Sequence, residues 1–346
     1  MAANYWTSTQ RRFWHFSPSQ LVSIRSALIT QNAAAVSQYP ISDPRHILIF
    51  LKDQLLRLSR RLQSRQQCLA TTLVYIHRYL LTHPLQTFNP YLLLTTAFYL
   101  ASKTEESPHH IRFVFGEARQ FWPEFVPGDV SRIGEMEFSL ISEMRSQLII
   151  WHPYRSLMEL KGPEKEGGLE LSNDEVGMAW SIINDSYLTD LPLTCAPHTI
   201  AVMAIFLAVA FQPTNKGLAV GTGLPTFQIP NTPNPTINNN SSTAFQGLGG
   251  RQGMSTAISG AISSPVSGRL SANAAADGKV KSNPKPVPSE KMQRVIRFLA
   301  ESSIDLDQII DATQQIVSLY EVWESYSEKA VKEALARVII GRGMDK

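Results

Sequence analysis

Residues Tyr91 to Glu106 read YLLLTTAFYLASKTEE, apolar on nearly every side of a helix until Lys103, Glu105 and Glu106 close it. A helix of that kind belongs in the middle of a bundle, and its charged end must reach the surface at one defined place. Working outward, the same pattern returns. Pro90, Ala97, Leu100 and Ala101 are matched by Pro197, Ala204, Leu207 and Ala208, with 197 minus 90 and 208 minus 101 both equal to 107. The spacing predicts one helical unit present twice.

The flanking sequence supplies the rest of each unit. Asp43-Pro44, Asn89-Pro90 and Ser107-Pro108 each set an oxygen-bearing side chain before a proline, the signature of a capped helix start. From Arg45, the series Ile47, Leu48, Leu51, Leu55, Leu58 and Leu62 keeps to three- and four-residue spacing, one buried stripe. Further helices are expected at Arg65–Leu81, Ile111–Phe121 and, as a long fifth, Val130–Ile150. After His152-Pro153 a second set runs Tyr154–Lys161, Asp174–Leu188 behind a Ser172–Glu175 capping box, and Pro197–Phe211. It continues with Glu290–Ser302 and Asp305–Tyr326, and Glu328–Ile340 closes the chain. Between them, 212–289 is dominated by Gly, Pro, Ser, Thr, Asn and Ala, including NTPNPTINNNSS, and is expected to be disordered because it buries too little apolar area. The reading is all-α, two consecutive five-helix repeats: an N-terminal helical segment at 1–40, a first repeat at 41–151, and a second at 152–340 interrupted by 212–289.

Bulk properties narrow the chemistry. The 346 residues suffice for two domains of about 100 to 150 residues with a tail or linker left over. A formal net charge of +3 with 18% charged residues lacks the clustered Lys and Arg needed to track a phosphate backbone, so no direct nucleic-acid binding is expected. Cys68 and Cys195 are the only cysteines, which supports neither a disulfide scaffold nor a zinc knuckle and suits a reducing compartment. No run reaches the roughly 20 apolar residues that span a bilayer, so no membrane partner and a soluble, intracellular protein are expected. His109-His110 fails as a metal pair because adjacent helical residues point about 100 degrees apart and no third ligand is suitably spaced. The chain carries no P-loop, GxGxxG, HExxH or nucleophile elbow. It is read as a non-enzyme needing no cofactor.

Two helical repeats with YLASKTEE ending the third helix of the first resemble the cyclin family. RQQCLATTLVYIHRYL, EMEFSLISEM, WHPYRSLMEL, AWSIINDSYLTDL and IDLDQIIDATQQIVSLYEVWESY, with NYWTSTQRRFW at the N-terminus, are similar to its cyclin C branch. Members of that branch are regulatory subunits of the Mediator-associated kinase, and the likeness covers nearly all of the chain outside 212–289. It implies a nuclear subunit that binds and activates a cyclin-dependent kinase, meets other subunits of the Mediator kinase module and regulates RNA polymerase II transcription. The kinase contact of the family falls on Lys103 and Glu137, with Glu105 and Glu106 beside them and Phe138 and Leu140 as apolar area. The family's internal Arg–Asp pair falls on Leu48 and His77 and is missing. Its substrate-docking motif falls on Ile47–Leu51, ILIFL, with Gln54 in place of a Trp, so docking of cell-cycle substrates is not expected.

Each of these residues also has a plainer role to set against the functional one. Lys103, on the last turn of its helix, is favoured there by the carbonyl end of the dipole whatever it binds, by about 0.3 to 1 kcal/mol. Phe138 and Leu140 are the kind of helix residues that more often form core. Trp6, Phe13 and Trp14 either staple an N-terminal helix to the first repeat or select the kinase. Asn184-Asp185 interrupts an apolar helix; because an unpaired buried Asp is costly, the pair is expected to face a groove and to cap backbone or meet another Mediator subunit. Two alternatives remain open: another transcriptional cyclin serving an elongation kinase, and a promoter-binding factor of the TFIIB kind, which needs a zinc ribbon and basic helix ends that the sequence lacks.

Overall fold

Asp43 accepts a hydrogen bond from the backbone N–H of Arg45 at 2.8 Å and starts α4 (Pro44–Arg61), whose Ile47, Leu48, Leu51, Leu55 and Leu58 are all buried along one stripe. Before it lie α1 (Thr9–Phe13), α2 (Pro18–Gln31) and α3 (Ala33–Gln38); a reciprocal Ser17–Gln20 capping box opens the second of these. The first repeat continues with α5 (Gln66–Tyr79), α6 (Pro90–Thr104), α7 (Ile111–Phe121) and α8 (Ser131–Glu143). In this computed structural model the described residues are 4–41, 43–164, 167–211 and 290–344, and among them there is no β-strand. The expectation for 212–289 lies outside the described residues.

α6 is the axle of the first repeat. Asn89 caps it by accepting from the N–H groups of Tyr91 and Leu92, Pro90 takes the first helical position, and α4, α5, α7 and α8 enclose it. The second repeat is built alike, from α9 (Pro153–Leu160), α10 (Asn173–Ser186), α12 (Pro197–Ala210), α13 (Glu290–Glu301) and α14 (Leu306–Glu324), with the one-turn α11 (Leu191–Thr194) before the third. Here α12, apolar all round, is enclosed by α9, α10, α13 and α14. Pro90 and Pro197 open equivalent helices, as the 107-residue offset requires. The closing helix, α15 (Glu328–Gly341), folds back on α4.

Two local expectations are corrected. The fifth helix does not run to Ile150: it ends at Glu143, because Arg145 and Ser146 both take left-handed backbone at φ 51° and 56°. Ser146 N–H then bonds back to Ile141 O at 3.0 Å. The chain straightens, and the carbonyls of Gln147 and Leu148 accept from Arg78 and from Tyr75 Oη, both at 2.7 Å. Nor does Ser107-Pro108 cap the fourth helix. α7 begins three residues later, where the ring of His110 accepts from Arg112 N–H at 3.2 Å; His109 bonds Ser64 and stacks on Phe98.

Polar contacts join the repeats. Lys52 of α4 and Asp185 of α10, 6% and 4% exposed, form an ion pair at 2.6 Å; Tyr320 Oη donates to the other carboxylate oxygen and the Trp323 ring lies 5.2 Å from the ammonium. Leu48 sits in the core and His77 donates to Tyr187 O at 2.8 Å, so no ion pair forms at those two positions. The N-terminal helices bind across the junction. Arg25 grips Asp190 through a two-pronged guanidinium at 2.7 and 2.5 Å, and Phe16 N–H donates to Leu193 O at 2.8 Å.

Candidate functional site

The C-terminal turn of α6 delivers its charges to a surface shared with α8. Ser102 and Thr104 hydroxyls donate back to the carbonyls of Tyr99 and Ala101, and Glu106 takes left-handed backbone at φ 52°. Glu106 N–H then bonds Lys103 O at 3.3 Å and Ser107 N–H bonds Ser102 O at 2.9 Å, which closes the helix sharply. Lys103 emerges just before this stop. Its ammonium lies 4.3 Å from the centroid of the Tyr99 ring, one turn earlier, and pairs with Glu137 of α8. The lysine side chain is 38% exposed and the glutamate 16%, so the pair presents its cationic half outward.

Around the pair the surface is part apolar, part acidic. Phe138, next to Glu137, is 78% exposed, and Glu106 is also exposed.

Glu105 turns the other way. Its carboxylate accepts from Thr71 Oγ1 at 2.6 Å and lies 3.7 Å from His152 Nε2. Burial pushes this carboxyl up, but the nearby His152 imidazole and the hydrogen bond from Thr71 outweigh it and leave it below the usual glutamate value. Glu105 is therefore a tether between helices, and Leu140, wholly buried, belongs to the core. Lys103, Glu106 and Phe138 are exposed and Glu137 half-buried, so Glu105 and Leu140 differ from them in facing inward.

The second expected surface divides as well. Trp6 and Phe13 are 59% and 50% exposed, with Trp6 beside His198. Trp14 is buried: its indole N–H donates to Gln147 Oε1 at 2.7 Å and its ring covers the guanidinium of Arg78. It is a staple of the N-terminal segment. Asn184 accepts from Tyr154 Oη at 2.7 Å and from Gln66 at 3.0 Å, and Asp185 is engaged by Lys52 and Tyr320, so the expectation that both face an open groove is corrected. Asp185 is buried without exposing a charge because a lysine from the other repeat meets it.

Sequence reading missed Tyr99, Thr71, His152 and Tyr187. Tyr99 stands four residues before Lys103 and was legible as a same-face neighbour. The other three are distant in the chain and gave no local signal.

Comparison with known proteins agrees with this architecture. Residues 25–149 match the N-terminal domain of the cyclins. Over 100% of both chains, the sequence is 47% identical to the RNA polymerase II holoenzyme cyclin-like subunit of Aspergillus fumigatus and 40% identical to that of Gibberella moniliformis. The protein of the same name from Neurospora crassa is 38% identical, again over 100% of both. Among solved structures, a chain in the CAK complex from Chaetomium thermophilum bound to ATP-gamma-S superposes with a TM-score of 0.53 at 17% identity, covering 96% of this chain and 88% of that one, a likeness of fold. Duplicated helical architecture, the Lys103–Glu137 pair and full-length identity converge: the chain belongs to the cyclin family, among the RNA polymerase II holoenzyme cyclin-like subunits.

Proposed function

We propose that this chain is the regulatory subunit of a cyclin-dependent kinase of the Mediator kinase module, acts in the nucleus, and carries no active site of its own. The observation that carries the reading is the Lys103–Glu137 pair, held at the surface between α6 and α8 with Phe138 exposed beside it. Its repeats would span 41–151 and 152–340. The mechanism is positional. A rigid face that binds the active arrangement of a mobile kinase helix more tightly than the inactive one shifts the kinase population toward activity, and the catalytic groups remain the kinase's. Lys103 offers donors to helix-end carbonyls, Glu137 fixes its direction, and Phe138 adds desolvated contact area.

The test is co-purification from cells followed by kinase assay. Lys103→Glu with Glu137→Lys is expected to lower kinase recovery at least about tenfold, equivalent to losing one well-made ionic contact, while helical content and Tm stay near wild type. Undiminished recovery overturns the assignment of this face. A different kinase in the recovered complex, one acting on elongating polymerase, would favour the other transcriptional-cyclin reading, and salt-sensitive retention on promoter DNA would favour the TFIIB-like one.

A further inference from the structure

Glu105 ends a hydrogen-bonded chain that runs from the second repeat into the last turn of α6. Tyr187 Oη lies 2.7 Å from His152 Nδ1, His152 Nε2 lies 2.8 Å from Thr71 Oγ1, and Thr71 Oγ1 lies 2.6 Å from Glu105 Oε1. One arrangement of protons satisfies every member. Burial keeps the Tyr187 phenol protonated, so it donates to Nδ1; the Nε2–H of the imidazole donates to Thr71, whose hydroxyl proton goes to the carboxylate. His152 is almost inaccessible, with a side chain 5% exposed, and Pro153 behind it holds the linker extended. A parallel tether reinforces the same turn, since Tyr75 Oη donates to Leu148 O at 2.7 Å and lies 3.0 Å from Thr104 Oγ1.

We propose that His152 is a positioning residue through which the second repeat holds Glu105 away from Lys103, leaving Lys103 free to pair with Glu137 on the kinase-binding face. Glu105 is two residues from Lys103 on the same helix end. Deprived of its inward donors, a half-buried carboxylate is freed to turn, and the Lys103 ammonium is a cation that can draw it. Competition between Glu105 and Glu137 for one lysine then spoils the outward geometry without unfolding the bundle. The inference rests on the proposed kinase-binding role of Lys103 and adds a cause for its orientation that lies in the other repeat.

The full-length chain and the kinase that co-purifies with it provide the test. His152→Ala is expected to weaken kinase binding about tenfold, the scale of one charged hydrogen bond. His152→Gln, which keeps a donor near the Nε2 position, is expected to restore most of the affinity, whereas His152→Asn, which reaches only the Nδ1 side, is not. In a double-mutant cycle, Glu105→Gln should remove most of the effect of His152→Ala, because an amide no longer competes for the lysine. Loss of binding that merely tracks loss of Tm across the His152 variants, or an effect of His152→Ala that persists undiminished in the Glu105→Gln background, overturns the proposal. Where His152→Ala does not fold, Thr71→Val, isosteric and lacking the relay hydroxyl, gives the same readout. Lys103→Glu separates the two readings: if it leaves binding unchanged the kinase-face assignment fails, and if it abolishes binding while the His152 variants match wild type only the positioning role fails.

Discussion

Lys52 and Asp185 come from different repeats, are both almost wholly buried, and hold each other at 2.6 Å. Removing one partner leaves the other charge in the interior, so Lys52→Ala is expected to cost about 3 to 5 kcal/mol in urea unfolding, whereas Lys52→Met combined with Asp185→Leu should recover most of that loss. A charge deletion so expensive at residues outside the proposed kinase-binding set is expected to reach function only through stability. Sequence reading found Asp185 and expected it to face a groove because the lysine that meets it stands 133 residues away. Glu105 and Glu106 misled in the same way. Adjacent carboxylates at a helix end look equivalent in a string of letters, but the left-handed residue Glu106 separates their directions, and His152 claims one of them. Lys103 and Glu137 were legible, and expected side by side, only through the resemblance carried by the motif around each; no local pattern gives their contact, which depends on how α6 and α8 pack.

The helices themselves were largely visible in caps and periodicity. Asp43, Asn89 and Ser172 mark real starts because a side-chain oxygen takes an N–H that the helix cannot use, and the prolines at first helical positions because they lack that N–H and arrive with φ already helical. Where reading failed, tertiary contacts overrode local pattern: Ile141, Met144 and Leu148 continue an apolar rhythm, yet Arg145 and Ser146 break the helix so that Gln147 and Leu148 can present carbonyls to Arg78 and Tyr75. No glycine sits at that break, and a side chain in left-handed backbone costs about 1 to 2 kcal/mol. Arg145→Gly is accordingly expected to stabilise the chain by about 0.5 to 1 kcal/mol after the glycine's greater unfolded-state entropy is subtracted, read as a higher denaturation midpoint at unchanged slope. Unchanged or lower stability would mean that the arginine side chain makes a compensating contact.

Taken over the whole molecule, buried phenols set the response to alkali. Desolvation pushes Tyr75 and Tyr5 up to about 12 and raises Tyr91, Tyr154 and Tyr187 as well, so the folded chain keeps protons that the unfolded chain releases near pH 10. Their contribution is complete below the unfolded value and is lost as pH rises through the folded ones. Arg78 acts in the opposite sense: burial pushes it down to about 9, so its deprotonation favours the fold from there upward, but it is one group against several. Urea midpoints should therefore hold level to about pH 9.5 and fall steeply between about pH 10 and 12; a rising midpoint across that window would refute the account. At this scale the 107-residue offset between Pro90 and Pro197 had already announced the duplication, while the ties between the two halves, made by Lys52 and His152, and the Arg25 grip of the N-terminal segment on the second half left no local mark in the sequence. The other axle of the molecule also has a history in time. The 14 residues of α12 carry no Asp, Glu, Lys or Arg, and part of their cover, α13, starts at residue 290, which is 80 positions after Ala210. At a synthesis rate of about 5 to 20 residues per second, that greasy rod waits roughly 4 to 16 s beyond the ribosome with its packing incomplete, so the hazard to this protein is concentrated in its birth and falls to chaperones that shield nascent chains.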